Sequence, residues 1–351
     1  MSRTIRLGLL ALAVVILVAV HPAIRQEIMS LPLTAWGGAR LSASLEGDQS
    51  TPAEPDRGRP SVGEVLGPSD LQLMLEAVST ERFQHPDRER VRNYITTVLS
   101  DLGWVVTRQP VGGGDKSPGG NAGDPRRIGV NLIATRPDHP IAGSLIVGAH
   151  YDAVSQSPGA DDNGTGVVAV LEAARLLGSL SAPQSLTLVF FDLEEDGLLG
   201  SQAFVDEFPN VAGAVILEML GFRCDQPGCQ RYPAGLPATP SQATGNFLAA
   251  VGDRAHLRLV DAFRTEPSAG SMPVLALAVP TLGPLAPDLL RSDHVPFWRA
   301  GIGAVMLTDT AEFRNPHYHQ PSDRVQTIDL IFFQSAVQLV VDRVEQILWR
   351  P

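Results

Sequence analysis

The chain has 351 residues, 44% of them hydrophobic and 19% charged, and a formal net charge of −11. That balance is ordinary for a globular enzyme with enough length to bury a large core. The acidic excess, with Lys116 the single lysine and no cluster of cations, argues against a nucleic-acid partner, which needs a phosphate-neutralising surface.

Arg3 and Arg6 precede an uninterrupted apolar run from Leu7 to Val20, a charged segment followed by a hydrophobic one. We read residues 1–24 as an uncleaved signal anchor, the alternative being a cleaved signal peptide. Either way the remainder is exported, to the periplasmic or extracellular side, and membrane-anchored unless cleaved. Residues 25–67 are rich in Pro, Gly, Ser and charge (GDQSTPAEPDRGRP) and read as a flexible linker. A single domain is expected over 68–351.

From Ser69 the apolar spacing turns helical, and it does so again over Arg88–Leu102, where Gly103 closes the helix. Trp104–Thr107 reads as a strand and Gly112–Asp124 as an exposed hairpin or loop. Strands follow at Val130–Ala134 and Ser144–Val147, then a helix over Gly166–Leu180, a strand at Leu186–Phe191 and a helix near Ser201–Glu207. Next come a strand at Ala212–Leu217, a helix over Ser241–Ala255, a strand at Ala304–Thr308 and a long amphipathic helix over Thr327–Leu348. Alternating strands and helices predict an α/β three-layer sandwich around a mixed, largely parallel sheet. Cys224 and Cys229, spaced CDQPGC around a Pro-Gly turn, are read as a short-loop disulfide; the rival, a metal pair, lacks further ligands nearby.

Chemistry gathers where apolar strands end. His150 closes one and opens GAHYDAV; Asp161 and Asp162 lie in PGADDNGTG; Glu194 and Glu195 follow another strand in DLEEDGLLGS; Glu218 follows a third; and NPHYHQPSD supplies His319 before the last helix. Loops at the carboxyl ends of parallel strands are where such sheets bind ligands. Singly, each group has an ordinary structural reading: a satisfied His, a solvated Glu pair, Asp side chains that cap the next helix. Imidazoles and carboxylates from separate strand ends suit zinc, with manganese or cobalt as substitutes. The glycines of 112–120 make no phosphate cradle, because no helix with Lys and Ser/Thr follows.

These blocks, together with ILEMLGF and RSDHVPF, resemble in order the signature segments of the M28 peptidases, a family of co-catalytic zinc aminopeptidases, over residues 69–351. The resemblance implies two zinc ions per chain, one held by His150, Asp162 and Glu218, the other by Asp162, Glu195 and His319. It implies Glu194 as general base, Asp152 as the carboxylate orienting His150, and a cis peptide after Asp162. Many relatives carry Asp where this chain has Glu218. Asp293 and His294 are expected not as ligands but either behind the ligands or lining the substrate cavity, Asp293 alternatively capping a helix that starts near His294. Tyr318 is expected to pack or to donate to an oxyanion, and His317 to face solvent. The expected activity is aminopeptidase hydrolysis of a peptide substrate. Alternatives are a carboxypeptidase or dipeptidase, a glutaminyl cyclase-like enzyme with one zinc, and a catalytically silent receptor-like ectodomain. Oligomeric state is not encoded in any motif.

Overall fold

The computed structural model describes residues 63–112, 128–233, 243–264, 272–280 and 287–350. The expected anchor, most of the expected linker and most of the Gly112–Asp124 loop lie outside the described residues. Among the described residues no helix is long and apolar enough to cross a membrane.

Helices α1 (Pro68–Val78) and α2 (His85–Asp101) lead into β1 (Val105–Val111), β2 (Gly129–Thr135) and β3 (Leu145–His150). Then follow α3 (Gly166–Leu177), β4 (Leu186–Phe191), α4 (Leu199–Glu207), β5 (Gly213–Glu218), β6 (Leu248–Asp253) and α5 (Leu257–Ala262). The described chain ends with β7 (Val274–Val279), α6 (His294–Arg299), β8 (Ala304–Thr308) and α7 (Leu330–Trp349). The eight strands form one sheet in the order β1-β2-β4-β3-β5-β8-β6-β7. The central neighbours β4, β3, β5 and β8 run parallel, as do β6 and β7, while β1–β2, β2–β4 and β6–β8 pair antiparallel.

The central strands read as continuous apolar runs because both their faces are covered. In β3, Leu145 and Val147 join the core under α1, α2, α3 and α7, while Ile146 joins the core on the other face with Phe204 of α4 and Phe297 and Trp298 of α6. Gly148 sits where a Cβ would come 2.7 Å from the Phe191 ring and 2.9 Å from the Val189 carbonyl, so the strand tolerates no side chain there.

The expected helix over Ser241–Ala255 is corrected: residues 248–253 are β6. Leu248 and Ala250 join one core, Ala249 and Val251 the other. A strand apolar on both faces carries no period of two, and its alanines read as helix. For the same reason β7 went unforeseen between Thr265 and Leu290. Before α1 the chain is already docked: Val65 is buried, its N–H bonds Gln338 Oε1 at 3.0 Å, and the Leu66 N–H bonds the buried Glu172 at 2.9 Å.

A candidate metal centre at the sheet's switch point

From β3 the chain crosses through α3 to β4 on one side, then returns through α4 to β5 on the other. The carboxyl end of β3 is therefore a switch point, where loops diverge and leave a crevice. His150 is the last residue of β3 and Glu218 the last of β5; Glu194 and Glu195 lie just past β4, and His319 lies on the loop beyond β8. Asp162 lies in the turn of residues 160–165 ahead of α3, where the backbone of Asp162 and Asn163 is non-helical.

The expected ligand residues all come together. His150 Nε2 lies 3.3 Å from Asp162 Oδ1 and 3.4 Å from Glu218 Oε1. His319 Nε2 lies 3.2 Å from Asp162 Oδ2 and 3.1 Å from Glu195 Oε2. Asp162 thus turns one carboxylate oxygen to each imidazole. Ligand-type atoms of Asp162, Glu195 and His319 lie within 4.8 Å of one another, as do those of His150, Glu194 and Glu218. Glu194, expected as the base, is therefore as close to the His150 group as a ligand would be. The Asp162–Asn163 peptide is cis, as expected.

The electrostatics fit divalent cations. Two imidazoles face four buried or nearly buried carboxylates, and Glu195 Oε1 is buried with no hydrogen-bond partner. Burial raises Glu194 well above the usual carboxylate range, and burial with the charge of Asp162 raises Glu195 to about 7. Burial would raise Asp162 too, but its bonds to His150 and His319 hold it well below that range. On His319 burial opposes the charge, and Asp162 with Glu195 raises it to about 10. The pocket is short of positive charge, and bound cations reverse such shifts.

Asp152 does more than face His150 Nδ1 at 3.4 Å: its two oxygens accept the N–H groups of Glu194 and Glu195, each at 3.2 Å. Four other residues support the site; Ser292, Asp323 and Arg82 were not singled out from sequence, and Asp161 was read there only as a possible helix cap. Ser292 donates to Glu218 Oε2 at 2.6 Å. Asp323 accepts the N–H groups of Asp161 and Asp162 at 2.9 and 3.0 Å. Asp161 caps no helix; it accepts from Gly221 N at 2.9 Å and Asn315 Nδ2 at 2.7 Å, tying the loops after Glu218 and before His319 to the turn of Asp162. Arg82, fully buried, donates to the carbonyls of Tyr151, Pro158 and Gly159, holding the other side of that turn. The signal for Asp323 was present, because it ends the NPHYHQPSD block, four residues past His319.

Asp293 makes no cap bond to α6; it is buried beside Ser201, and burial raises it to about 7. His294 is buried against Trp298 and the Leu289 carbonyl, away from the cavity lining, and burial lowers it to about 4. His317 is half-buried against Phe222 rather than solvent-facing. Tyr318 stacks on His319, ring centroids 3.8 Å apart, and its hydroxyl lies 3.2 Å from Arg291 Nη2, which pairs with Glu312. Cys224 and Cys229 form a disulfide on the loop that leads to Gln230 and Arg231. These last two residues line a cavity of about 520 Å³ that opens beside the cluster. Part of its lining is apolar: Phe247, Ala249, Val251, Leu275, Leu277 and Met306.

A model of peptidase family M28 matches residues 131–344. The uncharacterized protein YfbL of Escherichia coli is 32% identical over 284 residues, 74% of this chain and 79% of YfbL. Aminopeptidase YwaD of Bacillus subtilis is 31% identical over 201 residues, which are 56% of this chain but only 39% of that protein. The structure of an aminopeptidase from Aneurinibacillus sp. strain AM-1 superposes with a TM-score of 0.58 at 17% identity, over 80% of this chain and 93% of that one, a likeness of fold. The match spans the strands and loops that carry the cluster, and the chain belongs to peptidase family M28, enzymes that hydrolyse peptide bonds.

Proposed function

We propose that this protein is an exported zinc aminopeptidase that removes apolar N-terminal residues from peptides. His150, Asp162 and Glu218 would hold one zinc, and Asp162, Glu195 and His319 a second. The observation that carries the reading is the Asp162 carboxylate, with one oxygen directed to each of two imidazoles that belong to different loops. Bound zinc would supply Lewis acidity that activates water and polarises the scissile carbonyl. Glu194 takes the proton of the attacking water and returns it to the departing amine. Asp152 keeps that carboxylate in place through the backbone N–H bonds of residues 194 and 195. The apolar wall favours a bulky apolar side chain at the cleaved residue, and the name of the Bacillus relative supports the choice of aminopeptidase. The apolar N-terminal run and the disulfide support export.

The test is hydrolysis of a panel of aminoacyl chromogenic substrates by the full-length chain, with chelation, zinc repletion and zinc counting, beside Glu194→Gln. Activity that needs metal, close to two zincs per chain, and a loss in Glu194→Gln of about 10²- to 10⁴-fold in kcat at unchanged zinc content are expected. One zinc per chain with turnover of N-terminal glutamine substrates points to the cyclase, and a folded chain that binds no zinc points to the silent ectodomain.

A further inference from the structure

Three successive backbone N–H groups run through the turn that carries Glu194, and two carboxylates capture all three. Asp152 takes those of Glu194 and Glu195; Asp192 takes that of Leu193, with its Oδ1 at 3.0 Å. Leu193 itself has φ of +58°, a left-handed conformation disfavoured for any residue with a side chain. Such backbone persists only where its surroundings over-determine it, and it gathers at functional sites.

The surroundings here do so. Leu193 is fully buried, and its side chain occupies the space that a Cβ at residue 129 would need, 2.8 Å from Leu193 Cδ1, left open because that residue is Gly129. Asp192, also fully buried, is held from four sides. Arg88 Nε lies 2.8 Å from its Oδ1, and Arg92 Nη1 lies 3.0 Å from its Oδ2. The Tyr151 hydroxyl donates to Oδ2 at 2.6 Å, and the Val130 N–H donates to the same oxygen at 2.8 Å. The network continues outward, Arg92 to Glu89 at 2.8 Å and Glu89 to Arg108 at 2.9 Å, so that α2 is anchored to the end of β4 and, through Tyr151, to the residue after His150. None of these groups is among the residues lining the cavity, and Asp192 contacts neither of the two imidazoles.

We infer that Asp192 is a positioning residue for the general base: clamped by Arg88, Arg92 and Tyr151, it holds Leu193 in the left-handed kink that aims Glu194 into the site. The inference rests on the proposed function only in naming Glu194 as the base; the geometric claim about the turn stands on its own.

The test therefore has two readouts. Asp192→Asn keeps the shape of the side chain and removes the charge that two guanidiniums and two further donors converge on. A crystal structure reads φ of Leu193 and the position of the Glu194 carboxylate whether or not a substrate is known. Kinetics with zinc counting reads the consequence. Expected are a Leu193 that leaves the left-handed region or a displaced Glu194, with kcat lower by about tenfold to a hundredfold while KM and zinc content hold. Tyr151→Phe, which removes one donor and leaves both ion pairs, changes both readouts in the same sense by a smaller factor. It decides the matter if Asp192→Asn does not fold. A turn superimposable on the wild type, a kcat within twofold of it, or a loss confined to KM or zinc content overturns the inference. A wild-type enzyme without peptide turnover would instead defeat the proposed function, leaving the crystallographic readout to judge the kink.

Discussion

Replacing Asp323 with alanine isolates the contribution of the loop staple that joins the two halves of the second triad. The Asp323 carboxylate is fully buried and accepts the N–H groups of Asp161 and Asp162 at 2.9 and 3.0 Å, while its own carbonyl accepts Ala160 N at 3.3 Å. Alanine leaves two buried N–H groups unpaired at about 1–3 kcal/mol each, an upper figure of about 6 kcal/mol. Part of that is returned, because burying the carboxylate is itself costly: burial moves its pKa from 3.8 to about 6. The net loss expected is about 2–3 kcal/mol, and at roughly 2–4 °C per kcal/mol the melting temperature falls by roughly 4–12 °C. The pH dependence has a defined sign. A carboxyl whose folded pKa lies above its unfolded value contributes stability that is complete below about pH 4 and is lost as pH rises through 6, so the gap between wild type and variant is wider at pH 4 than at pH 8. Urea denaturation of the chelated protein at both pH values measures this without the metal. Zinc titration then reads the second consequence, weaker zinc binding overall, since Asp162, whose N–H this carboxylate holds, is proposed to serve both triads. A destabilisation under about 0.5 kcal/mol, together with unchanged zinc affinity, refutes the reasoning.

The cavity wall and the disulfide give two further expectations. Leu277→Asp places a charge on the apolar wall, so kcat/KM for a leucyl substrate should fall by about tenfold or more relative to a lysyl substrate, measured as a ratio on the same preparation. Cys224→Ser with Cys229→Ser opens a cross-link of sequence separation 5, expected to cost about 2 kcal/mol or less in urea melts. Because Gln230 and Arg231 line the cavity directly after it, KM should rise while zinc content holds, and an unchanged KM would separate that loop from substrate binding.

What the sequence made legible was whatever each segment announces locally. The central strands β3, β4, β5 and β8 are short apolar runs bounded by turn residues, and the groups at their ends stand out because imidazole and carboxylate interrupt that pattern. His150, Asp162, Glu194, Glu195, Glu218 and His319 could be named because each sits in such a block. β6 and β7 could not, because apolar strands rich in alanine have no distinguishing period, and they build the cavity wall whose position decides side-chain preference. Asp192 and Asp323 stood inside blocks already quoted, yet neither could be assigned a role. What they do depends on partners 162 residues away in the case of Asp323 and Asp161, and 100 residues away in the case of Asp192 and Arg92.

Those long-range bonds share one physical logic. Around the cluster, carboxylates outside the proposed ligand set bind backbone N–H groups of the loops that carry the proposed ligands: Asp152 on 194 and 195, Asp323 on 161 and 162, Asp161 on 221, Asp309 on 222. Carboxylates accept several N–H bonds, and charge-assisted bonds are roughly twice as strong as neutral ones, so each loop is fixed without a regular element to hold it. The arrangement concentrates negative charge around a site that is already acidic, which burial alone would oppose. Cations are the compensation: Arg82, Arg88, Arg92 and Arg314 are buried in the surrounding shell, none of them among the residues lining the cavity. The arginines that do line the cavity, Arg231, Arg291 and Arg299, are not among the partners of the two imidazoles, so the proposed ion positions face carboxylates while the surrounding loops are held from outside. Substituting Asp152 by its amide should therefore disturb the turn of Glu194 and Glu195, whereas the same change at Asp161 should disturb three segments at once, those of Asp162, Gly221 and Asn315, and lower zinc affinity by the larger factor.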